Sequence, residues 1–212
     1  MKKKGSDSAD GSSLAKFSTI FMGGRVRGAD IYTIHINELI QWGRVFAREG
    51  LLEHGREEKA GNLSFRGRGS IFITASGADL ARLHKSDFTE VLGWGSGKKG
   101  DFVFARGAKE PSSESIMHFE IYRARKDAKF IFHGHSMEIL RSAKKLGIPC
   151  TKTKKPYGTT ALVWETVRAV EKNKKNGFVV LKGHGFVSLG GSAKEAGDLA
   201  IKVQKSAERG VK

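Results

Sequence analysis

A single α/β domain is the fold class this sequence predicts, and three observations carry it. The length of 212 residues fits one domain, at roughly 100–200 residues each. Stretches with the 3.6-residue helix period alternate with short apolar runs of strand length. The hydrophobic share is 39% and the charged share 28%, enough to fill a core without covalent staples.

Residues 1–16 are polar, small and charged, and are expected to be disordered, leaving 17–212 as the folded domain. Ile36, Leu39, Ile40, Gly43, Phe46 and Ala47 recur at three and four, a helix stopped by Gly50. Leu63-Ser64-Phe65 and Ile71-Phe72-Ile73-Thr74 predict strands around Gly67-Arg68-Gly69, a hairpin pattern, and Phe102-Val103-Phe104 predicts another strand. Pro111-Ser112-Ser113-Glu114 opens a helix through Met117, Ile121 and Ala124, with serine at the cap and a carboxylate in the first turn. Phe130-Ile131-Phe132 predicts a strand, and a helix follows over 137–146. Phe178-Val179-Val180-Leu181 and Phe186-Val187-Ser188-Leu189 predict strands on either side of Gly183-His184-Gly185. Ser192-Ala193-Lys194-Glu195 fits a capping box, and Ala193, Ala196, Ala200, Val203 and Ala207 mark one face of the last helix. A central sheet covered by helices follows; the strand order does not.

Composition excludes several classes. The 27 glycines keep no three-residue period and there are 3 prolines, so neither collagen nor a Pro-rich linker fits. Cys150 is the one cysteine, which rules out an internal disulfide and a secreted disulfide scaffold. No apolar run approaches the ~18–20 residues a membrane helix needs. Met1-Lys2-Lys3-Lys4 mimics the basic start of a signal peptide, but no apolar segment follows it. A cytoplasmic, soluble protein with no membrane partner is expected.

The net charge of +16 favours anionic partners. It concentrates between residues 141 and 175, where ten Lys or Arg stand against Glu165 and Glu171. Val163, Val167 and Val170 keep helical spacing there, so many of the lysines fall on a solvated face. No helix-turn-helix, zinc-finger or RNP-type pattern accompanies them, and a nucleic-acid partner is not expected.

The strongest local signal is His133-Gly134-His135 at the end of an apolar strand. Side chains two apart on a strand share a face, so both imidazoles can reach one point. A catalytic zinc site uses three protein ligands. His184, bracketed by glycines, is the natural third, and Glu114 at a helix start the natural oxygen ligand. The pattern fits a metal site and an ordinary buried histidine pair alike. His118 lies one turn after Glu114 and can share its face as a partner behind the ligands. Gly61-Asn62, Ser76-Gly77 and Ser112-Ser113 combine small residues with hydroxyl or amide donors. Singly each suits a turn; together they suit an anion cradle, Ser112-Ser113 at a helix start above all.

The ordered series Ala60-Gly61-Asn62-Leu63-Ser64, Ile73-Thr74-Ala75-Ser76-Gly77, Pro111-Ser112-Ser113-Glu114, His133-Gly134-His135-Ser136 and Gly183-His184-Gly185 resembles the class II aldolase/adducin family, in particular its zinc-dependent L-fuculose-1-phosphate aldolases. Matching blocks run from about residue 35 to the final helix. The resemblance implies a three-layer α/β/α domain around a mostly antiparallel sheet, and a homotetramer with its site at a subunit interface. It implies that His133, His135 and His184 hold one Zn2+ per chain; the same ligands accept Mn2+, Co2+ or Fe2+. Glu114 would ligate the empty site and then serve as acid/base. Gly61, Asn62, Ser76, Gly77, Ser112 and Ser113 would hold the substrate phosphate. The implied reaction is cleavage of a ketose 1-phosphate, such as L-fuculose 1-phosphate, to dihydroxyacetone phosphate and a small aldehyde through a metal-stabilised enediolate. Relatives include sugar-phosphate epimerases, which carry aspartate where Glu114 stands, and dehydratases, which keep glutamate. A non-catalytic adducin-like binding module is a further reading, and a cupin-like protein with Glu138 as a ligand a remote one.

Departures from the family pattern bear on the activity. Ala75 stands where the family usually has proline. The tyrosine that bacterial relatives carry on a C-terminal tail has no counterpart up to Lys212, and the basic connector 148–156 has none of its own. Tyr157, in Pro156-Tyr157-Gly158-Thr159, resembles a family block near the site and is the candidate catalytic tyrosine.

Overall fold

The computed structural model describes residues 17–23, 32–54, 58–59 and 61–210. The expected disorder of 1–16 lies outside them, as does Ala60. In chain order the elements are β1 (Phe17–Phe21), α1 (Thr33–Arg48), β2 (Glu53–His54), β3 (Glu58–Lys59), β4 (Asn62–Arg66), β5 (Ile71–Thr74), β6 (Phe88–Gly97), β7 (Gly100–Arg106), α2 (Ser115–Ala124), β8 (Phe130–Gly134), α3 (Met137–Ser142), α4 (Thr160–Lys172), β9 (Phe178–Leu181), β10 (Gly185–Gly190) and α5 (Ala193–Gly210). Two short 3-10 turns lie between β5 and β6.

The α/β class is as expected. One sheet carries eight strands in the order β1-β7-β6-β5-β4-β8-β10-β9, and β2 pairs with β3 apart from it. The sheet is mixed: β1 runs parallel to β7, and the pairings from β7 across to β9 are antiparallel.

Strand alternation splits the core between the two faces. Phe130 and Phe132 join Phe65, Phe72, Phe178 and Phe186 in one cluster, into which α1, α3 and α5 send Leu39, Ile139 and Ala200. Ile131 points the other way, into a cluster with Ile73, Val179 and Val187 that α2 and α4 close with Ile121 and Val163. Strands β5, β8 and β9 are buried along their length and read as largely continuous apolar runs.

Several boundaries differ from expectation for local reasons. The helix expected to open at Pro111 starts at Ser115, because 111–112 serve the sheet: Pro111 bridges Ala75, and Ser112 donates its N–H to Thr74 O at 3.1 Å. Glu114, not a serine, takes its N-cap position, without a side-chain cap bond. The helix expected over 137–146 ends at Ser142, and turns continue to Gly147 at φ +64°. At the start of α5, Glu195 N–H donates to Ser192 Oγ at 3.1 Å, while the Glu195 carboxylate accepts from Gly191 rather than Ser192.

The lysine-rich stretch behaves as a solvated face. Arg141, Lys144, Lys145, Lys152, Lys154, Arg168, Lys172, Lys174 and Lys175 are exposed, while α4 buries Leu162, Val163, Val167 and Val170. Among the described residues no helix is long and apolar enough to cross a membrane.

Candidate metal centre

Three segments converge at one end of the sheet. His133 and His135 leave the end of β8, held where His135 N–H donates to Leu51 O at 2.8 Å. Gly134 between them is required by close approach: a Cβ there would lie 2.6 Å from both Leu51 O and the Phe186 ring. His184 sits in the turn from β9 to β10, closed by its own N–H on Leu181 O and by Gly183 at φ +67°. A Cβ on Gly185 would meet Gly134 O at 2.4 Å and both His133 and His135 at 3.0 Å. The glycines that flank and separate these histidines thus clear room for imidazoles.

The ligand nitrogens of His133, His135 and His184 lie within 4.8 Å of one another. His133 Nε2 is 2.9 Å from His135 Nε2 and 3.0 Å from Glu114 Oε2, and His184 Nε2 is 2.8 Å from Glu114 Oε1. His133 Nδ1 is 2.8 Å from Phe186 O, and a carbonyl only accepts, so Nδ1 carries the hydrogen. In the neutral ring His133 Nε2 is then a lone pair facing a carboxylate and another imidazole. Only a proton or a cation reconciles that cluster. Three nitrogens, one carboxylate and a carbonyl that fixes the tautomer suit a divalent metal such as zinc.

Glu114, His133 and His135 are buried, and their charges act on one another. Burial alone would raise the Glu114 carboxyl, but the His133 charge and the hydrogen bonds from His133 and His184 outweigh it and hold the group well below its usual range. Burial would lower His133, and Glu114 reverses that, raising it above the ordinary histidine value.

Asn62 is buried across the β4–β8 ladder from His133 and donates Nδ2–H to Glu114 Oε2 at 2.9 Å. Gly61 before it sits at φ +122°, and a Cβ there would lie 2.8 Å from His133 O. Ser76 and Gly77 form the turn after β5, beside Ser112: Ser76 N–H donates to Glu110 O and Ser112 N–H to Thr74 O. Ser113 lines a small cavity with Glu114, Gly158, Thr159 and Thr160. The structure therefore brings Ser76 to the Ser112 segment and Asn62 to Glu114. Tyr157 is 41% exposed and stacks parallel to His184, with ring centroids 6.4 Å apart. Ala75 N–H donates to Asp87 O at 2.7 Å, a bond that a proline there would remove.

Two expectations change. His118 is turned to Ser64 rather than to the ligands: its Nδ1 is 2.7 Å from Ser64 Oγ, which is 2.9 Å from the Tyr122 hydroxyl. Glu138 is engaged with Ser136 at the start of α3, and helices cover the sheet, so the all-β cupin-like reading is wrong. The Asn62–Glu114 bond and the Phe186 carbonyl were invisible beforehand, since each joins residues more than fifty positions apart.

Burial, aided by the nearby His133 charge, pushes His118 down to about 3. The unfolded chain binds this proton near the ordinary 6.5, and the folded one not until about 3. Stability of the metal-free protein should therefore fall as pH drops through that interval. Chemical denaturation at pH 7 and pH 4 checks it: the loss should be smaller in His118→Gln, and equal losses refute it.

Sequence comparison decides the family. The family model of the Class II Aldolase and Adducin N-terminal domain matches residues 37–210. This chain belongs to that class II aldolase and adducin family. Within the class II aldolases it is 27% identical over 192 residues to a 5-methylthioribulose-1-phosphate/5-deoxyribulose-1-phosphate aldolase of Rhodospirillum rubrum, covering 78% of this chain and 80% of that protein. It is 30% identical over 158 residues to an L-fuculose phosphate aldolase of Methanocaldococcus jannaschii, covering 68% and 78% respectively. The fold is that of a sugar-phosphate aldolase structure from Thermotoga maritima, at TM-score 0.67 and 21% identity over 85% of this chain and 95% of that one.

Proposed function

We propose that this protein is a metal-dependent aldolase, a lyase that cleaves a ketose 1-phosphate to dihydroxyacetone phosphate and a small aldehyde, with zinc as its cation. The observation that carries the reading is the convergence of the His133, His135 and His184 nitrogens on the Glu114 carboxylate in a buried site. The curated relatives include enzymes named for cleaving L-fuculose phosphate and 5-methylthioribulose 1-phosphate, both phosphorylated ketoses. L-Fuculose 1-phosphate is the first substrate to try.

His133, His135 and His184 hold the cation, which when bound supplies Lewis acidity to the charge that develops as C3–C4 breaks. The hydroxyl on C4 loses its proton, the C3–C4 electron pair passes to C3, and the aldehyde carbonyl forms. Glu114 delivers a proton to the carbon left negative and is recharged by solvent or product exchange. Tyr157, stacked on His184, accepts the C4 hydroxyl proton as it passes its own phenol proton to solvent, so it ends unchanged. Gly61, Ser76, Gly77, Ser112 and Ser113 receive the substrate phosphate, the serines by their hydroxyls.

Helices on both faces of the sheet support a three-layer α/β/α description, and we extend the reading to a cytoplasmic homotetramer on family likeness. Glu114 favours cleavage over epimerisation. An adducin-like binding module has no use for four convergent ligands. Elemental analysis together with retro-aldol assays on ketose 1-phosphates tests the proposal. About one zinc per chain, with dihydroxyacetone phosphate released and chelator abolishing the release, is the expected result. A metal-free protein after reconstitution with zinc, manganese or cobalt would overturn it.

A further inference from the structure

We propose that Asn62 is a positioning residue for Glu114: its side-chain amide fixes the carboxylate once a metal has taken the histidine nitrogens. The inference rests on the metal-dependent lyase reading above and changes the part played by Asn62 within it, from phosphate ligand to anchor of the acid/base.

The two Glu114 oxygens are shared among three side-chain partners. Oε1 meets His184 Nε2, while Oε2 meets both His133 Nε2 and Asn62 Nδ2. A cation bound by the histidines withdraws both ring nitrogens from the carboxylate, because each has one lone pair to give. Of the three side-chain contacts just named, only the Asn62 amide has no stake in the metal. That amide is 4% exposed and fixed from below, since Asn62 opens β4 directly across from His133.

A second rung braces the same pair of elements. Asn62 and Ser64 stand two apart on one face of β4. Glu114 and His118 stand one turn apart at the start of α2, the His118 N–H donating to Glu114 O at 3.1 Å. Asn62 bonds Glu114, and Ser64 bonds His118. Strand and helix are thus tied at two successive levels, which sets the depth of Glu114 against the histidines.

The unused half of the amide fits this role. Asn62 Oδ1 is buried without a hydrogen-bond partner, as is His118 Nε2. The amide spends one of its two Nδ2 hydrogens on Glu114 and leaves its oxygen unpaired, and that oxygen is an acceptor, whereas a phosphate offers acceptors only. Oδ1 therefore suits a hydroxyl of the substrate better than its phosphate.

The test compares Asn62→Ala and the near-isosteric Asn62→Asp with wild type, each loaded with Co2+. The d–d absorption reports whether the Glu114 carboxylate ligates the ion, and Glu114→Gln supplies the reference with that carboxylate replaced by a neutral amide. Both Asn62 variants should shift the spectrum, and neither should shift it further in the Glu114→Gln background. In turnover, kcat should fall about a hundredfold, as expected when an acid/base loses its alignment. KM and the inhibition constant of inorganic phosphate should stay within about twofold. The opposite split, an unchanged spectrum and kcat with KM and phosphate inhibition about tenfold weaker, would make Asn62 a phosphate ligand and overturn the proposal. Should wild type turn over no ketose 1-phosphate, the lyase reading fails by itself, and the spectra still decide whether Asn62 holds Glu114.

Discussion

His133→Ala should leave the protein folded, strip it of metal and remove all measurable turnover. His133 is fully buried, and its Nε2 lies at the meeting point of His135 and Glu114. Taking it away deletes one nitrogen ligand and also the charge that keeps the Glu114 carboxyl ionised. His135, His184 and Glu114 remain, one nitrogen short of the original set and without the imidazole that touches both His135 and Glu114, so zinc should be held far more weakly. On the proposed mechanism a bound cation would stabilise the charge on which cleavage depends, so the loss should exceed about a thousandfold. Elemental analysis, unfolding and the retro-aldol assay read the three consequences separately. Activity that survives both this substitution and a chelator would falsify the metal-dependent reading outright.

The site was legible because its chemistry is local in sequence. His133-Gly134-His135 needs only strand alternation to put two imidazoles on one face, and the glycines around His184 announce a tight turn. What held Glu114 was not legible. The Asn62 amide and the Phe186 carbonyl reach the site through cross-strand register, which no periodicity encodes.

The same distinction runs through the fold. Helix α1 and its stop at Gly50 followed from spacing, because an isolated amphipathic stripe specifies its own element. Strand β6 did not announce itself: Gly93, Gly95 and Gly97 erase its alternation. Gly95 is there for packing, since a Cβ on it would lie 2.8 Å from the Phe102 ring on the neighbouring strand. Strand β1 was hidden for another reason. It pairs in parallel with β7 across more than eighty residues of chain, a long-range contact with no hairpin turn to mark it.

Glu114→Gln should separate binding from chemistry where His133→Ala removes both. Glutamine keeps the length of the side chain and an oxygen that can still accept from Asn62. The three histidines remain, so metal content should stay near that of wild type, though a chelator should strip it faster. The amide cannot carry a proton to carbon, and general acid/base contributions of this kind are worth about a hundred- to ten-thousandfold. Turnover should drop within that range while KM changes little, because the group acts on the transition state more than on bound substrate. The pH profile sharpens the assignment. Free of metal, the Glu114 carboxyl sits well below its usual range because His133 and His184 compensate its burial. A cation held by those histidines would likewise favour the ionised carboxylate, so Glu114 would have to take up a proton before it could deliver one. A group that acts only when protonated loses rate as pH rises, so Glu114→Gln should abolish the alkaline limb of the rate profile and leave the acid-side loss of metal in place. If metal and turnover instead vanish together, as in His133→Ala, Glu114 is a structural ligand, and the proton that reaches C3 must come from another group.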